Sequence, residues 1–223
     1  MNDPVQNVQP THTRGVTGII LAGGKSRRMG GINKALLRVG QHHIIERVCK
    51  AVLEVMTNAM IITNTPDDFA FLGLPMFPDI HPNTGSLGGL YTGLKHCTDK
   101  LGFLVACDMP FLNPQIMNTM IDLVDDYDVV IPNVDGGLQP LHAIYSRNCT
   151  KLIEDFLLRG NFKIIDCLHQ VKVREVPEDF LKGFDPTFRF VMNVNSPEDL
   201  AKALNIDREN APEGMVSHCP VAK

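Results

Sequence analysis

Short apolar runs alternate with stretches whose apolar residues recur at helical spacing. Ile19 to Ala22 has the length and character of a buried strand. Ile44, Ile45, Val48, Ala51, Val52, Val55 and Met56 then mark one face of a helix. A second strand is expected over Ala59–Thr63, closed by Asn64-Thr65-Pro66, then a short helix over Pro66–Phe71 and a third strand near Leu74–Pro78. The pattern continues with a helix at Leu90–Cys97, a strand at Leu101–Ala106, and a helix that Asn113 caps and Pro114 opens. Asp128–Pro132 reads as a strand, Asp135-Gly136-Gly137 as a turn and Gln139–Tyr145 as the return strand. Beyond these lie an amphipathic helix at Cys149–Arg159, a short helix at Ile164–His169, a strand at Val171–Val176, and a further strand from Phe190 that runs into a helix capped by Ser196, Pro197 and Asp199. Strand–helix alternation of this kind predicts an α/β fold: a doubly wound, mostly parallel sheet with helices on both faces.

The chain has 223 residues, 44% of them hydrophobic and 21% charged, which suits one α/β domain. We expect a flexible leader over 1–15, the domain over 16–204, and a loose polar tail over 205–223. The net charge of -4 argues against nucleic acid or an anionic membrane as partner. No apolar run approaches the ~20 residues of a membrane span, and the polar start lacks a signal core. Six scattered cysteines without C-x-x-C spacing read as reduced thiols of a cytoplasmic protein, and no structural metal site is expected.

Any polyanionic ligand must therefore be met locally. After the first strand, Gly23, Gly24, Gly30 and Gly31 bracket Lys25, Arg27, Arg28 and Lys34. Glycine lets main-chain N–H groups approach an anion, and the cations add charge to that cradle. A P-loop is excluded by register: the residue five before Gly24 is Ile19, and Gly18–Gly23 is followed by Gly24 rather than lysine. G-x-G-x-x-G is absent as well.

Three further positions fall at predicted strand ends. Asp79 follows the third strand and projects over the sheet edge beside the first loop; an Asx turn before His81-Pro82 is the structural alternative. Asp108 sits at the tip of a buried strand, where a carboxylate is costly unless paired, and Mg²⁺ supplies such a pairing. Asn193 and Asn195 share one side of the last strand and would offer amides to a second substrate. The rule for open α/β sheets gathers such positions in one crevice.

Leu21-Ala-Gly-Gly-Lys-Ser-Arg-Arg-Met-Gly-Gly-Ile-Asn-Lys34 closely resembles the signature of nucleotidyltransferases related to molybdenum cofactor guanylyltransferase. Cys107-Asp108-Met-Pro-Phe-Leu112 resembles that family's metal-binding segment, and Asn193-Val-Asn195-Ser-Pro-Glu-Asp-Leu200 its C-terminal hallmark. The sequence departs at Asn33, where many relatives carry aspartate, and at Ser86, where they carry proline. The resemblance implies a Rossmann-like fold of nucleotide-diphospho-sugar transferase type. It also implies transfer of GMP from GTP to molybdenum-loaded molybdopterin, with pyrophosphate leaving.

On that basis Lys34, Asp108 and Arg28 are the expected catalytic residues, and Asp108 holds Mg²⁺. Nucleotide binding is expected from Leu21, Ala22, Gly23, Gly24, Lys25, Lys34, Asp79 and Asp108. Gly23 and Gly24 with Lys25 and Arg28 would hold the β- and γ-phosphates, and Lys34 the α-phosphate, while the Leu21–Gly23 backbone and Asp79 meet the guanine edge. The segment Gln139-Pro-Leu-His142 resembles one bordering the acceptor cleft, so Gln139 joins Asn193 and Asn195 as an acceptor contact. GTP, a molybdopterin-type acceptor and cofactor-delivery proteins are the implied partners. Cytidylyl or sugar-phosphate transfer on the same fold, or nucleotide binding without turnover, are the alternatives.

Overall fold

The apolar runs too short for helices become strands buried on both faces, and the amphipathic segments pack around them. In a computed structural model, which describes residues 15–23 and 33–210, the elements follow in this order. β1 is Val16–Leu21, and a 3₁₀ turn at Lys34–Leu36 precedes a small antiparallel pair, β2 (Arg38–Val39) and β3 (His42–His43). Then come α1 (Ile44–Val55), β4 (Asn58–Ile62), β5 (Met76–Phe77), α2 (Gly85–His96), β6 (Leu101–Ala106), α3 (Pro114–Asp122), β7 (Val129–Val134) and β8 (Gly137–Leu138). The chain closes with β9 (His142–Ser146), α4 (Cys149–Leu158), α5 (Ile164–Leu168), β10 (Val173–Pro177), α6 (Glu178–Leu181) and α7 (Pro197–Glu209).

The main sheet runs β10-β7-β9-β6-β1-β4-β5, with β8 added to β7. β1 pairs parallel with both β4 and β6, β4 with β5, and β7 with β10; β9 runs against its two neighbours. The sheet is thus mostly parallel and doubly wound, as the alternation predicted. Alternate residues of β1 enter opposite cores: Val16 and Ile20 join the side chains of α1 and α3, whereas Ile19 and Leu21 join those of α2, α4 and α5.

Several boundaries differ from the sequence expectations. α2 begins at Gly85, so Gly88 and Gly89 lie inside it rather than in a loop before Leu90. A Cβ on Gly89 would stand 2.8 Å from Leu21 Cδ2, and one on Gly93 only 2.4 Å from Ile19 Cγ2. These glycines let the helix lie close on β1, and that close packing outweighs their cost of about 1 kcal/mol each in a helix interior. The short helix after β4 is 3₁₀, Pro66–Leu72. The return strand expected over Gln139–Tyr145 starts only at His142 as β9, and the short β8 at Gly137–Leu138 precedes it, beginning in the expected turn.

Phe190–Val194 forms no strand. Its backbone bonds are local or directed elsewhere: Phe190 N donates to Asp185 Oδ2 (2.9 Å), and Val194 N to the Asp108 carbonyl (2.9 Å). α7 starts with the expected capping box at Ser196 and Asp199 but continues to Glu209, into the segment expected as tail. No described helix is long and apolar enough to cross a membrane, and the five described cysteines carry no disulfide.

Candidate active site at the carboxyl edge of the sheet

The parallel strands end together. Cys107 N donates to Leu21 O (3.0 Å), Ala22 N to Ile62 O (2.9 Å) and Thr63 N to Phe77 O (3.0 Å), which ties the ends of β6, β1, β4 and β5 into one rim. Loops leaving this rim carry the polar groups, as the open-sheet rule requires.

On the β4–β5 side, Asp79 is clamped by a residue that sequence reasoning treated only as a strand stop. Asn64 Nδ2 donates to Asp79 Oδ2 (2.8 Å), and Asp79 N donates back to Asn64 Oδ1 (3.0 Å). A Cβ built on Gly23 would lie 3.9 Å from Asp79 Oδ2, so the carboxylate stands beside the start of the glycine-rich loop. The next residue is pinned to α2: Ile80 N donates to Thr92 Oγ1 (3.0 Å), whose hydroxyl donates to Gly88 O (2.9 Å).

On the β6 side, Lys34 and Asp108 are brought together by the segment before α7. Lys34 Nζ donates to Asn195 Oδ1 (3.0 Å), and one residue earlier Val194 N donates to the Asp108 carbonyl (2.9 Å). Among the described residues, Lys34 has no carboxylate partner in contact. Asn33 instead caps the turn, accepting from Ala35 N (3.2 Å) and donating to Asp68 Oδ2 (3.1 Å). The Asp108 carboxyl is pushed above the usual carboxylate range, chiefly by burial, while the positive charge of Lys34 works the other way. Its Oδ1 is buried with no hydrogen-bond partner. Beside it the Cys107 thiol is raised far above its ordinary range by burial and by Asp108, which leaves it inert as a nucleophile.

The remaining expected residues divide. Asn193 Nδ2 donates to Val191 O (3.0 Å) and Gln139 Nε2 to Gly137 O (3.1 Å), so each is engaged within its own loop, and only Asn195 touches the lysine. Gly24, Lys25 and Arg28 lie outside the described residues. Among the described residues no group of three or more His, Cys, Asp or Glu could hold a metal by itself. A divalent ion at Asp108 would then need its other ligands from phosphate oxygens and water, the usual habit of Mg²⁺ at nucleotide sites. The orphaned Asp108 oxygen fits such an ion.

One buried residue beneath this rim escaped the sequence reading of individual side chains. His142 opens β9 opposite Val105 and is fully buried, with neither ring nitrogen hydrogen-bonded. It packs edge-on against Phe103 and Phe190, ring centroids 5.3 and 5.0 Å away. Burial drives its pKa down to about 3, so it is a neutral core residue near pH 7.

Residues 18–173 match the MobA-like NTP transferase domain. The molybdenum cofactor guanylyltransferase of Desulfosudis oleivorans is 39% identical over 189 residues, spanning 84% of this chain and 94% of its own. The molybdopterin-guanine dinucleotide biosynthesis protein A of Archaeoglobus fulgidus superposes with a TM-score of 0.75 at 25% identity, over 86% of this chain and 99% of its own. A 4-diphosphocytidyl-2C-methyl-D-erythritol synthase from Anaerococcus prevotii superposes with a TM-score of 0.67 at 14% identity, over 93% and 100%; that likeness is one of fold.

Proposed function

Because the chain belongs to the MobA-like NTP transferase family, we propose that it transfers GMP from GTP to the phosphate of molybdenum-loaded molybdopterin. The products are the guanine dinucleotide cofactor and pyrophosphate. The observation that carries this reading is the convergence of Lys34, Asn195 and Asp108 on the rim that also presents Asp79 beside Gly23.

The reaction joins an acceptor phosphate oxygen to the α-phosphorus of GTP as the bond from that phosphorus to the β-phosphate oxygen breaks. Both reactants are anions. Two unit charges ~4 Å apart interact by about 4 kcal/mol at an effective dielectric near 20, so neutralisation is the first task. We assign Lys34 to the α-phosphate, where charge builds in the transition state, with Asn195 holding its ammonium in place. Gly24, Lys25 and Arg28 are assigned to the β- and γ-phosphates from the sequence. Asp79, fixed by Asn64, is an acceptor suited to the N1 and N2 donors of guanine. An acceptor phosphate is ionised near neutral pH and needs no general base. Asp108 would hold Mg²⁺, which when bound supplies Lewis-acid stabilisation of the triphosphate. The same reading places the reaction in the cytoplasm and makes cofactor-delivery proteins its partners.

Pyrophosphate release measured with Mg-GTP and Mg-CTP, each with and without the molybdopterin acceptor, tests the reading. Release is expected only with GTP and acceptor together. Preference for CTP would move the chain to the cytidylyltransferases, and nucleotide binding without release under any condition would make it a binding protein.

A further inference from the structure

The opposite edge of the sheet carries a positively charged depression. A groove of about 570 Å³ is lined by Leu94, Lys95, Lys100, Ser146, Arg147, Asn148 and Thr150. It lies where β6 begins and β9 ends, since Leu101 pairs with Ser146 and Arg147 N donates to Lys100 O (2.9 Å). β6 has six residues, and a strand rises ~3.3 Å per residue, so the groove is about 20 Å from the Asp108 rim.

Three cations face this groove and no carboxylate lines it. Among the described residues, Lys95, Lys100 and Arg147 make no ion pair; Lys95 is 5.8 Å from the Tyr91 ring, and the other two side chains have no hydrogen bond. The acids nearest in the chain lie outside the lining and keep their charge: Asp99 accepts from the Thr17 hydroxyl (2.6 Å) and Glu154 from the Tyr91 hydroxyl (2.5 Å). In a chain of net charge -4, three cations without an ion pair around one depression stand apart from the average surface. The groove also receives the N-terminus of the ten-residue α4, whose N-cap Asn148 makes no side-chain capping bond. Thr150 N is taken by Arg147 O (3.0 Å), and the helix dipole with the other first-turn N–H groups adds to the positive potential.

We propose that this groove binds a compact polyphosphate, the diphosphate or triphosphate group of pyrophosphate or of a nucleotide, apart from the catalytic rim. The cations decide the class of ligand. They come from three neighbouring points, the end of α2, the start of β6 and the turn before α4, and they surround a depression rather than forming a row. Carboxylates on one face of an extended peptide stand ~7 Å apart and call for a row of cations. Adjacent phosphates present many oxygens in a small volume, which Arg147 can meet in bidentate fashion and the two lysines as point charges. That pyrophosphate is also a product at the other edge rests on the reading above, but binding at the groove needs no turnover and is measured without it.

The experiment follows backbone amide shifts by NMR during titration with pyrophosphate, GTP, guanosine and a deca-glutamate peptide, without divalent metal. Pyrophosphate or GTP, but not guanosine, should move the amides of Leu101, Arg147 and Asn148. The variant Lys95→Gln/Lys100→Gln/Arg147→Gln should weaken that response at least tenfold while leaving kcat and KM for GTP unchanged. A response by pyrophosphate alone would mark a product site, and one by GTP as well a nucleotide site. Shifts confined to the carboxyl edge, equal groove shifts in the triple variant, or tighter binding of the peptide than of pyrophosphate would each overturn the proposal.

Discussion

The two aspartates of the carboxyl edge are held in opposite ways. Asp79 is paired in both directions with Asn64, and its position is fixed before any ligand arrives. Asp108 sits deeper, with one oxygen buried and unbonded and its carboxyl pushed toward the neutral form by burial. A satisfied carboxylate suits recognition, because its geometry is set and its affinity for a positive ion is already partly spent on an amide. An unsatisfied buried oxygen costs ~1–3 kcal/mol and persists where the group has a partner to gain. Under the proposed function, this contrast corresponds to base recognition on the Asp79 side of the rim and charge neutralisation on the Asp108 side.

Asp108→Asn is the sharpest way to break that contrast. It keeps the shape and removes the charge, and turnover should fall by at least about 10³-fold if this carboxylate serves a metal at the reacting phosphate. The same change should raise stability near pH 7, because ionised Asp108 is the form that burial opposes. The sign follows from linkage: a carboxyl whose folded pKa is raised contributes stability at low pH and loses it as pH rises through the folded value. Denaturant melts should therefore favour the Asn variant at neutral pH by about 1 kcal/mol and converge with the wild type in acid. A variant that is both active and no more stable would leave Asp108 no different from Asp79.

Lys34→Met comes next. It should lower kcat by about 10²-fold and change KM for GTP much less, since the lysine is assigned to charge that grows in the transition state. Loss of affinity alone would make it a ground-state anchor. Asn195→Ala frees the lysine without removing its charge and should cost about tenfold in kcat, at the low end of the ~1.5–3 kcal/mol net value of a hydrogen bond to a charged group. On the other side, Asn64→Ala should raise KM for GTP several-fold and narrow the preference over CTP while kcat holds. An effect of Asn64→Ala on kcat as large as that of Lys34→Met would erase the division of labour.

Much of this arrangement is legible in the sequence because it is local. The Asn113 cap and the Ser196–Asp199 capping box are written in neighbouring residues, and each forms as expected. What was hidden depends on distant partners. Asn195 meets Lys34 across 161 positions, and nothing beside either residue reports it. Asn64 reads as a strand terminator, which it is; its second role needs Asp79 to return beside it. Gly88 and Gly89 carry a loop-like composition, and only the closeness of β1 explains them inside a helix. The strand expected from Phe190 failed for the same reason: an apolar run was present, but Asp108 and Asp185 took its backbone donors.

His142 extends the comparison to a buried polar group with no ligand to gain. Like Asp108 it is unpartnered, but it is enclosed between Phe103 and Phe190 and has no exposed side facing the crevice. Its folded pKa of about 3 lies below the ordinary value, so the unfolded chain binds the extra proton first. Stability contributed by the neutral ring is intact above pH ~6.5 and falls as pH drops toward 3, by at most about 1.4 kcal/mol per pH unit from this one group. His142→Phe keeps the aromatic packing and removes the proton site. Denaturant midpoints between pH 7 and pH 4 should then fall less steeply in the variant, with activity at pH 7 within about twofold of wild type, since the ring reaches nothing that reacts. Equal slopes would mean that other groups carry the acid sensitivity. A large loss of activity at pH 7 would mean that this ring, through Phe190, sets the position of the segment that holds Lys34.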